Sequence, residues 1–98
     1  MVKHIVFWKL KEQAEGKTKE ENAAILKERL EGLVGKIDGL HTAQVGVNFT
    51  HGGFDLCLYS ELDSQEALGA YQNHPLHAEV RQYVHKVITE RAVCDYLA

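Results

Sequence analysis

Little in this sequence breaks the chain or ties it down: it holds one proline and two cysteines, and its charges of both signs nearly balance. Each scarcity excludes something. The longest apolar run near the start, Ile5 to Trp8, is far too short for a membrane span or the core of a signal peptide, so no membrane association and no export are expected. Cys57 and Cys94 lie far apart and form no C-x-x-C pair, which reads most economically as two reduced thiols in a cytoplasmic protein; a disulfide between them stays open until geometry is known. Lys and Arg number 11 against 14 Asp and Glu, a net charge of -3, so no surplus of cations exists to track a phosphate backbone. The basic residues are also interleaved with acids, as in Lys17-Thr18-Lys19-Glu20-Glu21 and Lys27-Glu28-Arg29, the pattern of a solvated helix face. No nucleic-acid partner is expected. No H-E-x-x-H framework marks a metal, no motif points to haem, and Gly52-Gly53 reads as a hairpin turn, not a phosphate cradle. No internal repeat or linker divides the chain, so one domain over residues 1–98 and no cofactor are the expectation.

What is present belongs to an ordinary globular protein, with hydrophobic residues at 45% and charged residues at 26%, which excludes disordered and fibrous classes. A chain of 98 residues hides only about 60–65% of its unfolded surface, so any large apolar surface left over needs a partner. Residues Lys3 to Leu10 read as a strand, rich in β-branched and aromatic side chains. Its two faces, His4/Val6/Trp8/Leu10 and Lys3/Ile5/Phe7/Lys9, both carry bulky apolar groups, which predicts cover on two sides. Thr18 and Glu21 match a capping box that opens a helix. Leu26, Leu30, Leu33, Val34 and Ile37 then form one apolar stripe, and Asp38-Gly39 is the expected stop.

His41, Ala43, Val45 and Val47 alternate with polar neighbours as in a strand with one buried face. Phe54 to Leu62 gives a third strand, joined to the second as an antiparallel hairpin. Asp63 and Glu66 resemble another capped helix start, and that helix falters at His74, since a residue before proline avoids the α region. Pro75 suits the first position of a new helix, with Leu76, Val80, Tyr83, Val84 and Val87 on one side. A last strand runs from about Thr89 to Tyr96. This order fits an α+β, ferredoxin-like split β-α-β arrangement with a four-stranded antiparallel sheet. Helices cover one face of such a sheet. The open face predicts a twofold homodimer with its sheets face to face, enclosing a chamber at each subunit.

Three pieces resemble the stress-responsive A/B barrel (Dabb) family: the opening Val2-Lys3-His4-Ile5-Val6-Phe7-Trp8-Lys9-Leu10, the segment Tyr71-Gln72-Asn73-His74-Pro75-Leu76-His77, and the ending Arg91-Ala92-Val93-Cys94-Asp95-Tyr96. The resemblance spans essentially the whole chain and implies a dimeric ferredoxin-like α/β barrel. The family mixes uncharacterised bacterial proteins, plant stress-associated proteins and a few enzymes. One of these, a plant polyketide cyclase, performs an intramolecular aldol condensation without cofactor. It uses a tyrosine and a histidine of the Tyr-x-x-His-Pro-x-His piece and a histidine of the first strand, which implies roles for Tyr71, His77 and His4. Two further pocket positions of that enzyme, a tyrosine and a histidine, fall at Arg29 and Asp55 here.

The chemistry follows from position. His77 lies in the first turn of the helix opened by Pro75, where the positive end of the helix dipole disfavours a charged imidazole and leaves the neutral ring a general base needs. Tyr71 can offer its hydroxyl to a developing enolate or carbonyl oxygen. His4 shares a strand face with Val6 and Trp8, a polar group at the end of an apolar cavity suited to a small apolar or aromatic, polyketide-like ligand. Plainer readings stand beside these. His77 can serve as a cap, Tyr71 as a core residue with a satisfied hydroxyl, His4 as a bond to a backbone carbonyl within the dimer, and His74 as a brace for the helix break. His41, His51 and His85 read as scattered surface or turn residues. Two functions remain open: a cofactor-independent enzyme on carbonyl compounds, whether cyclase, isomerase or monooxygenase-like, and a non-catalytic, stress-associated homodimer that carries a ligand.

Overall fold

Alternation in the opening segment decides the architecture. A computed structural model describing residues 1–98 shows β1 (Val2–Leu10) with Val2, His4, Val6, Trp8 and Leu10 all buried and the odd-numbered side chains only partly so. One side of this strand, not both, is covered within the chain. β2 (Gln13–Ala14) and β3 (Lys17–Thr18) form a tiny hairpin across Glu15 and Gly16, at φ 54 and 73. Two successive positive φ angles are what a two-residue turn of the type I′ class requires.

The capping box is formed as expected: the Thr18 side chain accepts from the Glu21 N–H, and the Glu21 carboxylate accepts from the Thr18 N–H. It opens α1 (Lys19–Glu31), which ends at Gly32 and not at Asp38-Gly39. The chain turns left-handed at Gly35, φ 87, a conformation that cannot continue a right-handed helix. Leu33 and Ile37 are nevertheless buried beyond the helix end.

β4 (Leu40–Val47) pairs with β5 (Leu56–Leu62), and the register slips between Leu40 and Thr42. The slip corrects the alternation expected from sequence. Leu40 and Val45 are buried, whereas His41 is exposed and bonds the Asp63 carboxylate, and Val47 is 63% exposed. With Asp63 so engaged, Ser64 caps α2 (Gln65–Asn73), accepting from the Ala67 N–H at 3.1 Å. α3 (Pro75–Val87) follows at once. His74, extended at φ -68 and ψ 137 as a residue before proline must be, caps its start by accepting the Leu76 N–H on Nδ1 at 3.1 Å.

β6 (Ile88–Leu97) completes a four-stranded sheet of order β4-β5-β1-β6, every pairing antiparallel. This is the α+β, ferredoxin-like arrangement expected from the sequence. The helices lie on the side of β1 that carries Val6 and Trp8, and Leu26, Leu30, Tyr71, Val80, Val84 and Val87 pack with them in one core. Each fully buried leucine there stabilises the fold by roughly 2 kcal/mol. No helix is long and apolar enough to cross a membrane.

The opposite face of the sheet is bare. It presents Ile5 and Phe7 from β1, Cys57 and Tyr59 from β5, and Ala92, Cys94 and Tyr96 from β6, bordered by a Lys3–Glu61 ion pair. Cys57 and Cys94 are free and sit on strands flanking β1. Strands two apart are separated by about 9–10 Å, beyond disulfide reach, which closes that question within one chain.

Candidate functional site

The antiparallel register sets His4 between two partners. On β5 it pairs with Ser60, whose buried hydroxyl donates to the His4 carbonyl oxygen at 2.8 Å. On β6 it pairs with Asp95, whose carboxylate bonds the imidazole Nδ1. His4 is only 3% exposed. A carboxylate on Nδ1 holds the hydrogen there and leaves Nε2 as the acceptor when the ring is neutral.

Below this strand lies a cavity of about 430 Å³ between the sheet and the helices. Val6 and Trp8 of β1, Leu58 of β5, Leu30 of α1 and Val84 of α3 supply its apolar walls. Its polar lining comes from His4, from Gln72 and Asn73 at the end of α2, from His77, Arg81 and His85 on α3, and from Arg91 on β6. The break at His74-Pro75 makes this possible. It turns the chain so that the last turn of α2 and the first turn of α3 both face the cavity, with Tyr71 ahead of the break and His77 after it.

The three site residues expected from sequence are brought together. The rings of Tyr71 and His77 stack with centroids 4.3 Å apart, and Tyr71 meets His4 edge-on at 6.2 Å. Tyr71 is completely buried, and burial pushes its hydroxyl up to about 12. Burial pushes the His77 imidazole down to about 4, the charges of Arg81, His4 and Arg91 adding to the shift and the Gln72 carbonyl opposing it. The ring is therefore neutral, but the main cause is burial and not the helix dipole invoked from sequence. Tyr71 remains a hydrogen-bond donor at any ordinary pH.

Three buried side-chain polar atoms in the whole chain lack a hydrogen-bond partner: Trp8 Nε1, Tyr71 OH and His77 Nδ1. Buried polar groups are almost always paired, and leaving one unpaired costs about 1–3 kcal/mol. Trp8 and His77 both line the cavity, and Tyr71 packs against His77. The satisfied hydroxyl considered for Tyr71 is thus not found. Within the chain, the His4 ring bonds Asp95 through Nδ1.

Other positions fall elsewhere. Arg29 lies over the Tyr83 ring at 4.7 Å, and Tyr83 donates to the buried Asn22. Asp55 accepts from the Leu10 N–H at 2.7 Å. Neither lines the cavity. His85, read as a surface residue, is exposed but contributes to the cavity mouth. The chamber itself is on the helix side of the sheet and is built by one chain, not by the meeting of two open faces. No group of three or more His, Cys, Asp or Glu side chains is placed to hold a metal ion.

Sequence reasoning missed Asp95, Arg81 and Arg91. The signal for Asp95 and Arg91 was available, since in β6 they share a face that antiparallel pairing lays beside His4 and Trp8. Arg81 gave a signal too, since it stands four residues after His77 and so one turn further along the same side of α3.

A second hollow, of about 400 Å³, lies at the bare face near Phe7, Val47, Phe49, Phe54, Leu56 and Cys57. Its one ionisable group is the Cys57 thiol, pushed up by burial and so unreactive. Nothing there can carry acid–base chemistry.

Solved structures share the architecture. A dimeric protein of unknown function with a ferredoxin-like fold from Bacteroides fragilis is 32% identical, with a TM-score of 0.83 over 97% of this chain and 93% of its own. A protein from Arabidopsis thaliana is 24% identical at a TM-score of 0.83, covering 100% of this chain and 95% of its own. A hydroxynitrile lyase from Passiflora edulis shares the fold at a TM-score of 0.78 with 15% identity, over 97% and 90% of the two chains. No curated protein matches the sequence. The profile of the stress responsive A/B barrel domain matches residues 2–98, and the chain belongs to that family.

Proposed function

We propose that the cavity between sheet and helices binds a small organic molecule, and that the protein acts on it without a cofactor by moving a proton next to a carbonyl group. The observation that carries this reading is the set of three unpaired buried polar atoms at Trp8, Tyr71 and His77. A fold tolerates such a set where a ligand completes it. Of the groups at the site, the His4–Asp95 pair is the better base. Its carboxylate fixes the ring so that Nε2 is left to accept, whereas His77, held at about 4, gives up a proton too readily to accept one from carbon at neutral pH. His77 and the Tyr71 hydroxyl then serve the oxygen on which negative charge develops. Tyr71 donates to it, and neutral His77 orients it or shuttles its proton.

The working unit is a cytoplasmic homodimer of a single-domain chain. Ile5, Phe7 and Ala92 on the bare sheet face, with Phe49 99% exposed beside it, supply an apolar surface that a second copy would cover. The relative from Bacteroides fragilis is described as dimeric.

Exchange of α-protons in aromatic ketones, followed by proton NMR in deuterated water, tests the chemistry. The protein should accelerate exchange, and Tyr71→Phe and Asp95→Asn should each remove most of the acceleration while ligand binding persists. Binding without any acceleration would leave the second reading, a non-catalytic carrier, which the deep burial of the Tyr71 hydroxyl favours.

A further inference from the structure

Every orphaned atom but one at this cavity is a donor, and that restricts what belongs inside. The Trp8 indole N–H can only donate, the Tyr71 phenol remains protonated and keeps a hydrogen to donate, and only the His77 nitrogen can lack one. The chain contains three arginines, at positions 29, 81 and 91, and two of them line this one cavity. Arg81 is held by the Gln72 carbonyl oxygen at 2.9 Å, which anchors its guanidinium while leaving most of its donors free. Arg91 forms no ion pair or side-chain hydrogen bond and stands directly across from Trp8 in the β1–β6 register. Cross-strand neighbours of this kind have Cβ atoms about 5 Å apart, so the guanidinium and the buried indole N–H serve one region.

The balance of charge is as one-sided as the balance of donors. Besides the two guanidiniums, the lining contains the imidazoles of His4, His77 and His85, and no carboxylate. Asp95, the nearest acid on β6, is occupied by His4, and Glu90 is paired with Lys9. A cavity that collects cations in a chain of net charge -3 is not sampling the average surface. A guanidinium matches a carboxylate in shape and in its paired donors. The walls of Val6, Leu30, Leu58 and Val84 need an apolar body of their own.

We propose that the ligand of this cavity is an organic anion, a carboxylate carried on a flat apolar body, whose oxygens are received by Arg91 and Arg81 at the mouth and by the Trp8 indole inside. The proposal rests on the cavity being the ligand site and adds the class of molecule.

Naphthoate and naphthamide, alike in shape and different in charge, separate the two claims. Calorimetric titration at low salt, with the Trp8 indole N–H followed by NMR, should show naphthoate binding at least tenfold more tightly. Arg91→Gln, at an exposed residue with no partner to lose, should abolish most of that preference by weakening naphthoate far more than naphthamide. Arg81→Gln should act in the same direction, and raising salt from about 50 to about 300 mM should weaken naphthoate alone. Equal binding of the two probes, or an Arg91→Gln variant that keeps the preference, overturns the anion assignment while the cavity reading stands. Failure of both probes to bind overturns both.

Discussion

Replacing His77 with leucine should make the empty protein more stable. Leucine is close to histidine in volume, so the change is chiefly the removal of polar atoms from a cavity wall. It abolishes the unpaired Nδ1, whose desolvation without a partner costs about 1–3 kcal/mol. It also removes the ring stack on Tyr71, worth about 0.5–1.5 kcal/mol. The balance favours the variant by about 1 kcal/mol at pH 7, which for a domain of this size raises Tm by about 5 °C. Acid enlarges the difference. His77 titrates at about 4 in the folded chain and at about 6.5 when unfolded, so between those values the unfolded chain binds the extra proton and wild-type stability falls as pH falls. The unscreened loss from pH 7 to pH 5 is about 2 kcal/mol, and about 1 kcal/mol after discounting for the partial exposure of the ring. Urea denaturation of both proteins at the two pH values provides the assay. A variant less stable than wild type at pH 7, with an unchanged dependence on pH, would show that His77 holds the helix break together and would refute its assignment as a strained functional group.

Asp95→Asn should shift the Nδ1–H tautomer of His4, visible in the imidazole nitrogen resonances, and lower any proton-transfer activity about 10- to 100-fold, as loss of an orienting partner does. Unchanged resonances would remove Asp95 from the site. Phe7→Glu places a charge in the middle of the bare sheet face and should convert a dimer to a particle of the 11.0 kDa chain mass by light scattering; an unchanged dimer would mean that another surface associates. Gly39→Ala forces a side chain onto φ +85 with its Cβ 2.9 Å from that of Ala67, and should destabilise the fold by about 2 kcal/mol in a thermal melt.

How much of this was legible in the sequence varies from one element to the next. The capping box at Thr18 and Glu21 and the break at His74-Pro75 are local devices, and local devices read directly. The end of α1 did not read, because Leu33 and Ile37 continue the helical stripe while their burial comes from a turn set by Gly35. The bulge at His41 could not be seen either, since an inserted residue reverses the alternation without altering composition. At the site, Tyr71 and His77 came from one short sequence piece whose members fold close together, and His4 from the first strand. Asp95 and Arg91 lie far from that piece in sequence and join it through strand register, which a linear pattern carries only indirectly, whereas Arg81 follows His77 by one helical turn.

The most direct test maps where small molecules bind. Nitrogen–proton NMR spectra of the protein, recorded with a panel of aromatic ketones and aromatic carboxylates, should show the largest shifts at the Trp8 indole N–H and the His77 ring. Shifts confined to Phe7, Phe54 and Cys57 on the other side of the sheet would contradict the account.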